Sequence, residues 1–168
     1  MKRRPNQRTV SYRPIGVIHT PHYAPDGTPI QPRFAKGIEG TVEVFEQYTE
    51  GLKDVDGFER LWLLYHLDRI KETRLRIVPY MDTFERGLFA TRAPCRPNPI
   101  GISCVRLLGV EGNVLRIADV DMLDGTPLLD IKPYVARFDS WDTQRNGWTD
   151  RLPADRKREG TRADRRFH

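Results

Sequence analysis

The chain has 168 residues with 28 basic and 23 acidic side chains, a length typical of a single domain. Hydrophobic residues make up 38% and charged residues 30%, which is enough apolar material for a core and excludes disordered, collagen-like and coiled-coil classes. The longest apolar run, residues 61–65, is far shorter than the roughly 20 residues that cross a bilayer. The N-terminus lacks the apolar stretch of a signal peptide. The sequence therefore predicts a cytoplasmic protein with no membrane partner.

The net charge of +5 is unevenly distributed along the chain. Residues 1–13 carry five basic side chains and no acidic one, and residues 141–168 carry eight basic against five acidic ones. The intervening residues have a net charge of −3. Two basic, mobile ends flank a slightly acidic body, which suggests that these arms bind a polyanion. The alternative is that the ends are merely solvated, which is about as common.

Hydrophobic alternation and turn-forming residues predict a series of short strands. A proline-rich loop at 21–29 follows the first strand, and Glu111-Gly112-Asn113 predicts a hairpin turn. In chain order the predicted strands cover residues 12–20, 38–45, 59–67, 75–80, 101–110, 114–120 and 128–131, with a short helix at 46–55. This pattern predicts a mainly β fold, a barrel with one or two short helices and long functional loops. We predict a basic arm at 1–11, the barrel domain at 12–140 and an Arg-rich tail at 141–168.

A stiff loop at residues 87–101 holds Arg92, Arg96 and Asn98 on a backbone with three prolines, bounded by glycines. Proline restricts the backbone at little entropic cost on folding, so the loop fixes the directions of these side chains. Such an arrangement suits a preorganised site for an anion or another ligand. The alternative is a rigid connection whose arginines form salt bridges with the acidic body.

Three carboxylates, those of Asp119, Asp121 and Asp124, follow a predicted strand. They could bind a hydroxylated or cationic ligand such as a ribose or an ammonium group. They could instead cap a turn, because Asp-Gly, here residues 124–125, is a common turn dipeptide.

Standard cofactor and metal motifs are missing from the sequence. It contains no glycine-rich Rossmann or P-loop motif, no zincin motif and no hydrolase elbow. Cys95 and Cys104 lie nine residues apart with no histidine between them, which is not a zinc spacing. His19 and His22 flank Pro21, so a loop explains them better than a shared metal. We predict no metal site and two reduced thiols.

Four segments carry a family resemblance. The runs GLFATRAPCRPNPIGIS at 87–103 and DMLDGTPLLDIKPY at 121–134 are long and rarely coincidental, and YRPIGVIHTP at 12–21 and GFERLWLLYHLDR at 57–69 accompany them. Over residues 12–140 the chain resembles the TsaA-like family, whose best-known members are the TrmO-type methyltransferases. These enzymes use S-adenosylmethionine to methylate N6 of threonylcarbamoyladenosine beside the tRNA anticodon.

The resemblance implies a single-sheeted β-barrel that usually forms homodimers, with S-adenosylmethionine as the cofactor and the tRNA anticodon loop as the partner. Arg92 would hold the carboxylate of the cofactor, and Asp124 or its adjacent backbone would bond the hydroxyl or ammonium groups. Ile102 and Leu123 would flank the adenine. The full cofactor site that the resemblance implies comprises Pro29, Ile30, Gln31, His66, Leu67, Arg92, Ile102, Leu123, Asp124, Gly125 and Thr126.

Candidate catalytic residues follow from the chemistry of the nucleophile. Methyl transfer from a sulfonium is an in-line displacement, and the exocyclic nitrogen of adenine is a poor nucleophile because its lone pair is delocalised. Hydrogen-bond acceptors can rehybridise this nitrogen. By analogy with the Asn-Pro-Pro-aromatic loop of other adenine methyltransferases, the amide oxygen of Asn98 and the adjacent carbonyl are the candidates. Arg96 is the second catalytic candidate, although it could simply hold phosphate.

Three functions are compatible with the sequence. The first is a tRNA adenine-N6 methyltransferase. The second is a methyltransferase of the same fold acting on another RNA or a small molecule, because only the Arg-rich segment 141–168 follows the barrel where bacterial members often carry another domain. The third is a non-enzymatic barrel, since small β-barrels often bind oligonucleotides without chemistry.

Overall fold

The computed structural model describes residues 9–159 and 161–167. Six strands form one closed antiparallel barrel in the order β1-β2-β7-β6-β3-β8, and β4 and β5 pair in a separate two-stranded sheet. In chain order the strands are β1 (Gly16–His19), β2 (Glu39–Val44), β3 (Arg60–His66), β4 (Arg76–Ile77), β5 (Arg86–Gly87), β6 (Ile100–Glu111), β7 (Val114–Ala118) and β8 (Thr126–Pro133). The predicted mainly β barrel is confirmed.

Alternating side chains fill the barrel. Along β3, Leu61, Leu63 and Tyr65 are buried while the residues between them are partly exposed, as expected for a strand with one face in a core. Full burial of an aliphatic side chain stabilises a fold by about 1.5–3 kcal/mol, so this interior supplies much of the driving force for closure. The buried core comprises Ile18, Val42, Val44, Leu61, Leu63, Tyr65, Val105, Leu115, Ile117, Val120, Met122 and Leu128.

The helical segments are short. The described residues contain α1 (Ala136–Asp139), α2 (Ala154–Glu159) and several 3-10 turns. The helix predicted at 46–55 is a 3-10 helix over Glu46–Leu52, followed by a separate turn at Val55–Gly57. Asp54 separates them because its backbone is left-handed, with φ of 66°.

Three predicted strands differ in extent from the strands of the structure. The strand expected at 75–80 is only Arg76–Ile77 and lies outside the barrel, because Pro79 has no N–H for a ladder. The strand expected at 12–20 is confined to Gly16–His19. β8 begins at Thr126, two residues earlier than expected, so the turn before it is shorter.

A second, smaller cluster packs beside the barrel and includes the C-terminus. Its buried members are Ile77, Leu88, Ala93, Cys95 and Phe167. The ring of Phe167 meets that of Tyr80 edge-on, with centroids 4.9 Å apart. The end of the Arg-rich tail, expected to be mobile, is therefore packed on the body, whereas residues 1–8 of the basic arm lie outside the described residues.

Antiparallel pairing gathers six strand ends at one end of the barrel, which we call the loop end. The C-termini of β1, β3 and β7 and the N-termini of β2, β6 and β8 all lie there. Long connections cross this end between β1 and β2, between β3 and β6, and between β7 and β8. Within the described residues, no helix is long and apolar enough to cross a membrane.

Candidate functional site

The predicted cofactor residues all belong to segments that meet at the loop end. Pro29, Ile30 and Gln31 lie in the β1–β2 connection, while His66 and Leu67 end β3. Arg92 lies in the connection before β6, and Ile102 is the third residue of β6. Residues 123–126 form the β7–β8 connection and the start of β8.

Hydrogen bonds tie these connections to one another. The Arg92 guanidinium donates to the Gln31 side-chain oxygen at 2.5 Å, which links the β1–β2 connection to the loop before β6. The main-chain N–H of Leu67 donates to the carbonyl of Pro99 at 2.7 Å. The Arg69 guanidinium donates to the carbonyl of Asp124 at 2.6 Å. These hydrogen bonds therefore hold connections that are far apart in sequence next to one another.

A cleft of about 930 Å³ opens beside Gln31, Arg92 and Ile102. Two aromatic side chains, Trp62 and Tyr134, form part of its wall, with ring centroids 5.9 Å apart. Its volume lies within the range of small-molecule sites, roughly 300–1,000 Å³. The wall also contains the basic side chains of Arg33, Lys36, Arg60 and Arg106. The acidic side chains of Glu59, Asp119 and Asp139 also lie in the wall. Three of the eleven predicted cofactor residues therefore share one cleft of mixed charge, and the other eight are not part of its lining.

The turn at residues 123–126 is held by its own polar groups. Gly125 has φ of 76°, a left-handed conformation that favours glycine. The Thr126 hydroxyl donates to the carbonyl of Leu123 at 2.7 Å, and the Asp124 carboxylate accepts the main-chain N–H of Thr20 at 3.1 Å. The carboxylate of Asp124 thus ties this turn to the segment that follows β1 and does not cap the Asp-Gly turn itself.

The three carboxylates of the segment 119–124 have different partners. Asp119 accepts the N–H of Gly37 at 2.9 Å and pairs with the Arg60 guanidinium at 3.2 Å. Asp121 accepts the Ser103 hydroxyl at 2.6 Å. They do not act as one cluster, so each carboxylate has to be considered by itself.

Asp121 ends a chain of hydroxyl groups that starts inside the barrel. The Tyr65 hydroxyl lies 2.9 Å from the Ser103 hydroxyl oxygen, and both residues are buried. When Asp121 is ionised, the Ser103 hydroxyl donates to it and the Tyr65 O–H donates to Ser103. The chain runs from the core to the loop end.

The pKa values along this chain are strongly shifted. Burial raises the pKa of Asp121 to about 7, although the Ser103 hydrogen bond and the positive charge of Arg92 both act in the opposite direction. Burial and the charge of Asp121 raise the pKa of Tyr65 well above its usual range. Asp121 is therefore a carboxylate that gains and loses a proton near neutral pH.

The close approach of the Tyr65 ring explains why the N-P-I-G sequence ends in glycine, Gly101. A Cβ at this position would lie 2.1 Å from the ring of Tyr65, which pairs with Gly101 across β3 and β6. Only glycine lets the ring cross the strand to reach Ser103. The motif thus builds the hydroxyl chain as well as shaping the loop.

The two candidate catalytic residues have different environments. The Arg96 guanidinium donates to the carbonyls of Thr91 and Ala93 at 3.1 and 3.3 Å, and lies 5.7 Å from the ring centroid of Phe89. It therefore braces its own loop. Asn98 is exposed, and its side-chain amide makes no hydrogen bond within the part of the chain that the structure describes.

Sequence reasoning did not identify Tyr65, Ser103 or Trp62 as site residues, and it treated Asp121 as one of three equivalent carboxylates. A signal was present for two of them. Alternation along the predicted strands at 59–67 and 101–110 directs Tyr65 and Ser103 to the same side as aliphatic core residues. A hydroxyl group in a core position requires a partner.

Comparisons with known proteins agree with the fold. The family model described as tRNA-methyltransferase O N-terminal domain matches residues 17–140. A probable S-adenosyl-L-methionine-binding protein of Pyrococcus abyssi is 55% identical over 94% of this chain and 85% of its own length. The tRNA (adenine(37)-N6)-methyltransferase of Homo sapiens is 32% identical over 76% of this chain, but over only 30% of its own length.

Solved structures give the same result. The crystal structure of TrmO from Pseudomonas aeruginosa matches with a TM-score of 0.70 and 37% identity, over 83% of this chain and 62% of that chain. This chain therefore spans less than two thirds of that solved chain. Because the family model covers most of the sequence and the closed barrel matches a solved member, the chain belongs to the tRNA-methyltransferase O family of S-adenosylmethionine-binding methyltransferases.

Proposed function

We propose that this protein transfers a methyl group from S-adenosylmethionine to N6 of threonylcarbamoyladenosine beside the anticodon of tRNA. The observation that carries the proposal is the gathering of the predicted cofactor residues at the loop end, next to a carboxylate that titrates near neutrality. The names of the human and mouse relatives support the adenine substrate. Mass spectrometry of nucleosides from tRNA treated with the protein and cofactor tests it.

The cleft residues fit the chemistry of the cofactor. Arg92 is exposed and presents guanidinium N–H groups suited to a carboxylate, and the exposed Ile102 offers apolar surface to an adenine ring. Gln31 adds an amide that already contacts Arg92. When bound, S-adenosylmethionine supplies the methyl group, whose bond to sulfur breaks with the electron pair staying on sulfur as the new C–N bond forms.

Asp121 takes up the proton that leaves N6 during transfer. A general base works best when its pKa is near the operating pH, which is where burial sets this carboxylate. Ser103 and Tyr65 hold the carboxylate in place through the hydroxyl chain. This assignment gives the buried polar groups of the barrel a role that packing alone does not explain.

Asn98 orients the amino group rather than the cofactor. We expect Asn98→Ala to lower turnover at saturating cofactor roughly 10- to 100-fold, since about 1.5–3 kcal/mol is typical for a hydrogen bond made in the transition state. Its affinity for cofactor, measured by calorimetry, should stay close to that of the unchanged protein. Weakened cofactor binding with normal turnover at saturation would assign Asn98 to the cofactor site instead.

The basic N-terminal arm supplies affinity for the tRNA backbone. Replacing its four basic residues before position 9 by glutamine should reduce the slope of log affinity against log salt by on the order of 3, because each phosphate contact contributes about 0.7–0.9. Filter binding across a salt series measures the slope. Glutamine keeps the length of the arm, so an unchanged slope would exclude a phosphate-binding role for Lys2, Arg3, Arg4 and Arg8.

The homodimer and the cytoplasmic location that we expect from the sequence are part of the same proposal. Ile100 is exposed on the outer face of β6 and is not part of the cleft lining, so its apolar surface is free to contact a second copy.

A further inference from the structure

Residues 161–167, which we call the C-terminal strap, lie outside the residues that the family model matches. They nevertheless contact two connections at the loop end. We propose that the C-terminal strap is a positioning element that holds the connection carrying Gln31 and the loop carrying Arg92 in the arrangement that binds the cofactor. The inference rests on the proposed function, because Gln31 and Arg92 are cofactor residues only within it.

The strap first pairs with the β1–β2 connection as a short antiparallel ladder. Pro29 and Arg162 form a β-bridge, and Pro29 is fully buried. Main-chain hydrogen bonds fix both the position and the direction of a backbone. Because Gln31 directly follows Ile30, the ladder also fixes the position of the Gln31 backbone. The ladder bonds run from Gly27 N to Ala163 O at 2.9 Å, from Ala163 N to Thr28 O at 2.8 Å, and from Ile30 N to Thr161 O at 3.1 Å.

The strap then anchors the loop before β6 through Phe167. This ring is 7% exposed and belongs to the same cluster as Leu88 and Ala93, which flank Arg92 in sequence. Leu88 and Ala93 are buried while Arg92 is exposed. Burial of the flanking residues beneath Phe167 therefore leaves Arg92 directed away from the cluster.

Polar contacts fasten the strap to the same region. The Arg166 guanidinium donates to the carbonyl of Pro79 at 2.6 Å, and the Arg74 guanidinium donates to the carbonyl of Arg166 at 3.0 Å. Upstream of the strap, the Trp148 indole N–H donates to the carbonyl of Ala90 at 2.8 Å. The C-terminal region thus contacts the Arg92 loop directly through the Phe167 ring and the Trp148 indole, while the two guanidinium bonds fasten the strap to the neighbouring segments that carry Arg74 and Pro79.

The two anchored segments meet in the Arg92 to Gln31 hydrogen bond. Residues 20–38 and 67–99 are long connections with little regular structure, and such segments sample many conformations unless other elements hold them. The apparent affinity of a site is reduced by the fraction of molecules in the competent arrangement. Loss of the strap should therefore weaken cofactor binding without removing any residue that touches the cofactor.

Phe167→Ala tests the proposal in the full chain. Amide hydrogen exchange without cofactor should become faster in residues 27–31 and 88–96, while exchange in β3 and β6 stays slow. Calorimetry should show S-adenosylmethionine binding weakened about tenfold or more, as expected if the competent fraction falls to a tenth. Phe167→Leu, which keeps most of the apolar volume, should restore both readouts. Phe138→Ala, at an exposed ring on α1, is the matched control and should change neither.

Arg166→Gln provides a second, milder variant within the strap if Phe167→Ala does not fold. It removes the guanidinium donor to the carbonyl of Pro79 and leaves the Phe167 ring in place, so exchange should increase in residues 79–96 and cofactor affinity should fall roughly 2- to 10-fold. Unchanged exchange in the tested connections, or faster exchange with unchanged cofactor affinity, would overturn the positioning role. Absence of any heat from the unchanged protein with S-adenosylmethionine would instead refute the proposed function, and the exchange data would still decide whether the strap holds the connections.

Discussion

Asp121→Asn is expected to lower the rate of methyl transfer about 100-fold or more while leaving cofactor affinity nearly unchanged. General-base catalysis typically contributes a factor of about 10²–10⁴, and an amide cannot accept the proton from N6. Asparagine has the same shape as aspartate, and its amide oxygen can still accept the Ser103 hydroxyl. The fold should therefore survive, which far-ultraviolet circular dichroism and thermal melting check.

The pH dependence separates a base from a structural carboxylate. In the unchanged protein, the rate at saturating substrates should rise as the pH increases through about 7, because Asp121 has to lose its proton before it can accept one. The Asp121→Asn protein should lack this rise. Asp142→Asn, at an exposed position in the C-terminal region, is the matched control. A full rate and an unaltered pH profile in Asp121→Asn would exclude the carboxylate as the base.

Arg92→Ala should weaken S-adenosylmethionine binding roughly 10- to 150-fold, since a hydrogen bond to a charged group is worth about 1.5–3 kcal/mol. The side chain is exposed at the cleft and bonds only to Gln31 among the contacts described, so its truncation should cost the fold little. Arg92→Lys should give an intermediate affinity, because lysine keeps the charge but loses the bidentate geometry.

Calorimetry with the cofactor and with its demethylated product measures this effect. Arg116→Ala removes an exposed arginine from the outer face of β7 and should bind both ligands normally. An Arg92→Ala protein that binds within twofold of the unchanged protein would remove Arg92 from the cofactor site.

The barrel could be predicted from the sequence because its strands alternate. Residues 39–44 and 60–66 place apolar side chains on one face with period two, and the structure has strands there. The strand predicted at 75–80 is shorter than expected and lies outside the barrel, where Ile77 belongs to the same cluster as Phe167. A local sequence pattern indicates that a residue will be buried, but it does not indicate which other residues will pack against it.

The site was harder to predict than the fold. Closure of β8 onto β1 brings three connections to one end, and pairing order is a long-range property that local pattern does not contain. Only the family resemblance pointed to Gln31, whereas the stiff loop of residues 87–101 already indicated Arg92 as a ligand-binding candidate. The difference between Asp121 and Asp124 depends on which hydrogen-bond partner the fold delivers: Ser103 from β6 in one case and the Thr20 backbone in the other.

The packing of the C-terminal region could not be predicted from local sequence pattern either. Its high arginine content indicated a solvated or RNA-binding tail, yet the Arg166 guanidinium donates to the carbonyl of Pro79, and Phe167, directly after Arg165-Arg166, is buried. A single aromatic near a terminus is too weak a pattern to predict packing. The partner of Arg166 lies 87 residues away in sequence, on the loop between β4 and β5.

Methyl transfer to defined tRNA tests the central claim most directly. The intact protein is incubated with labelled S-adenosylmethionine and one tRNA prepared with or without the threonylcarbamoyl group beside the anticodon, and the nucleosides are separated and identified by mass spectrometry. We predict label on N6 of threonylcarbamoyladenosine only in the modified tRNA, and its loss in Asp121→Asn. Label at another position or in another acceptor, or no transfer by protein that binds the cofactor, would contradict the account.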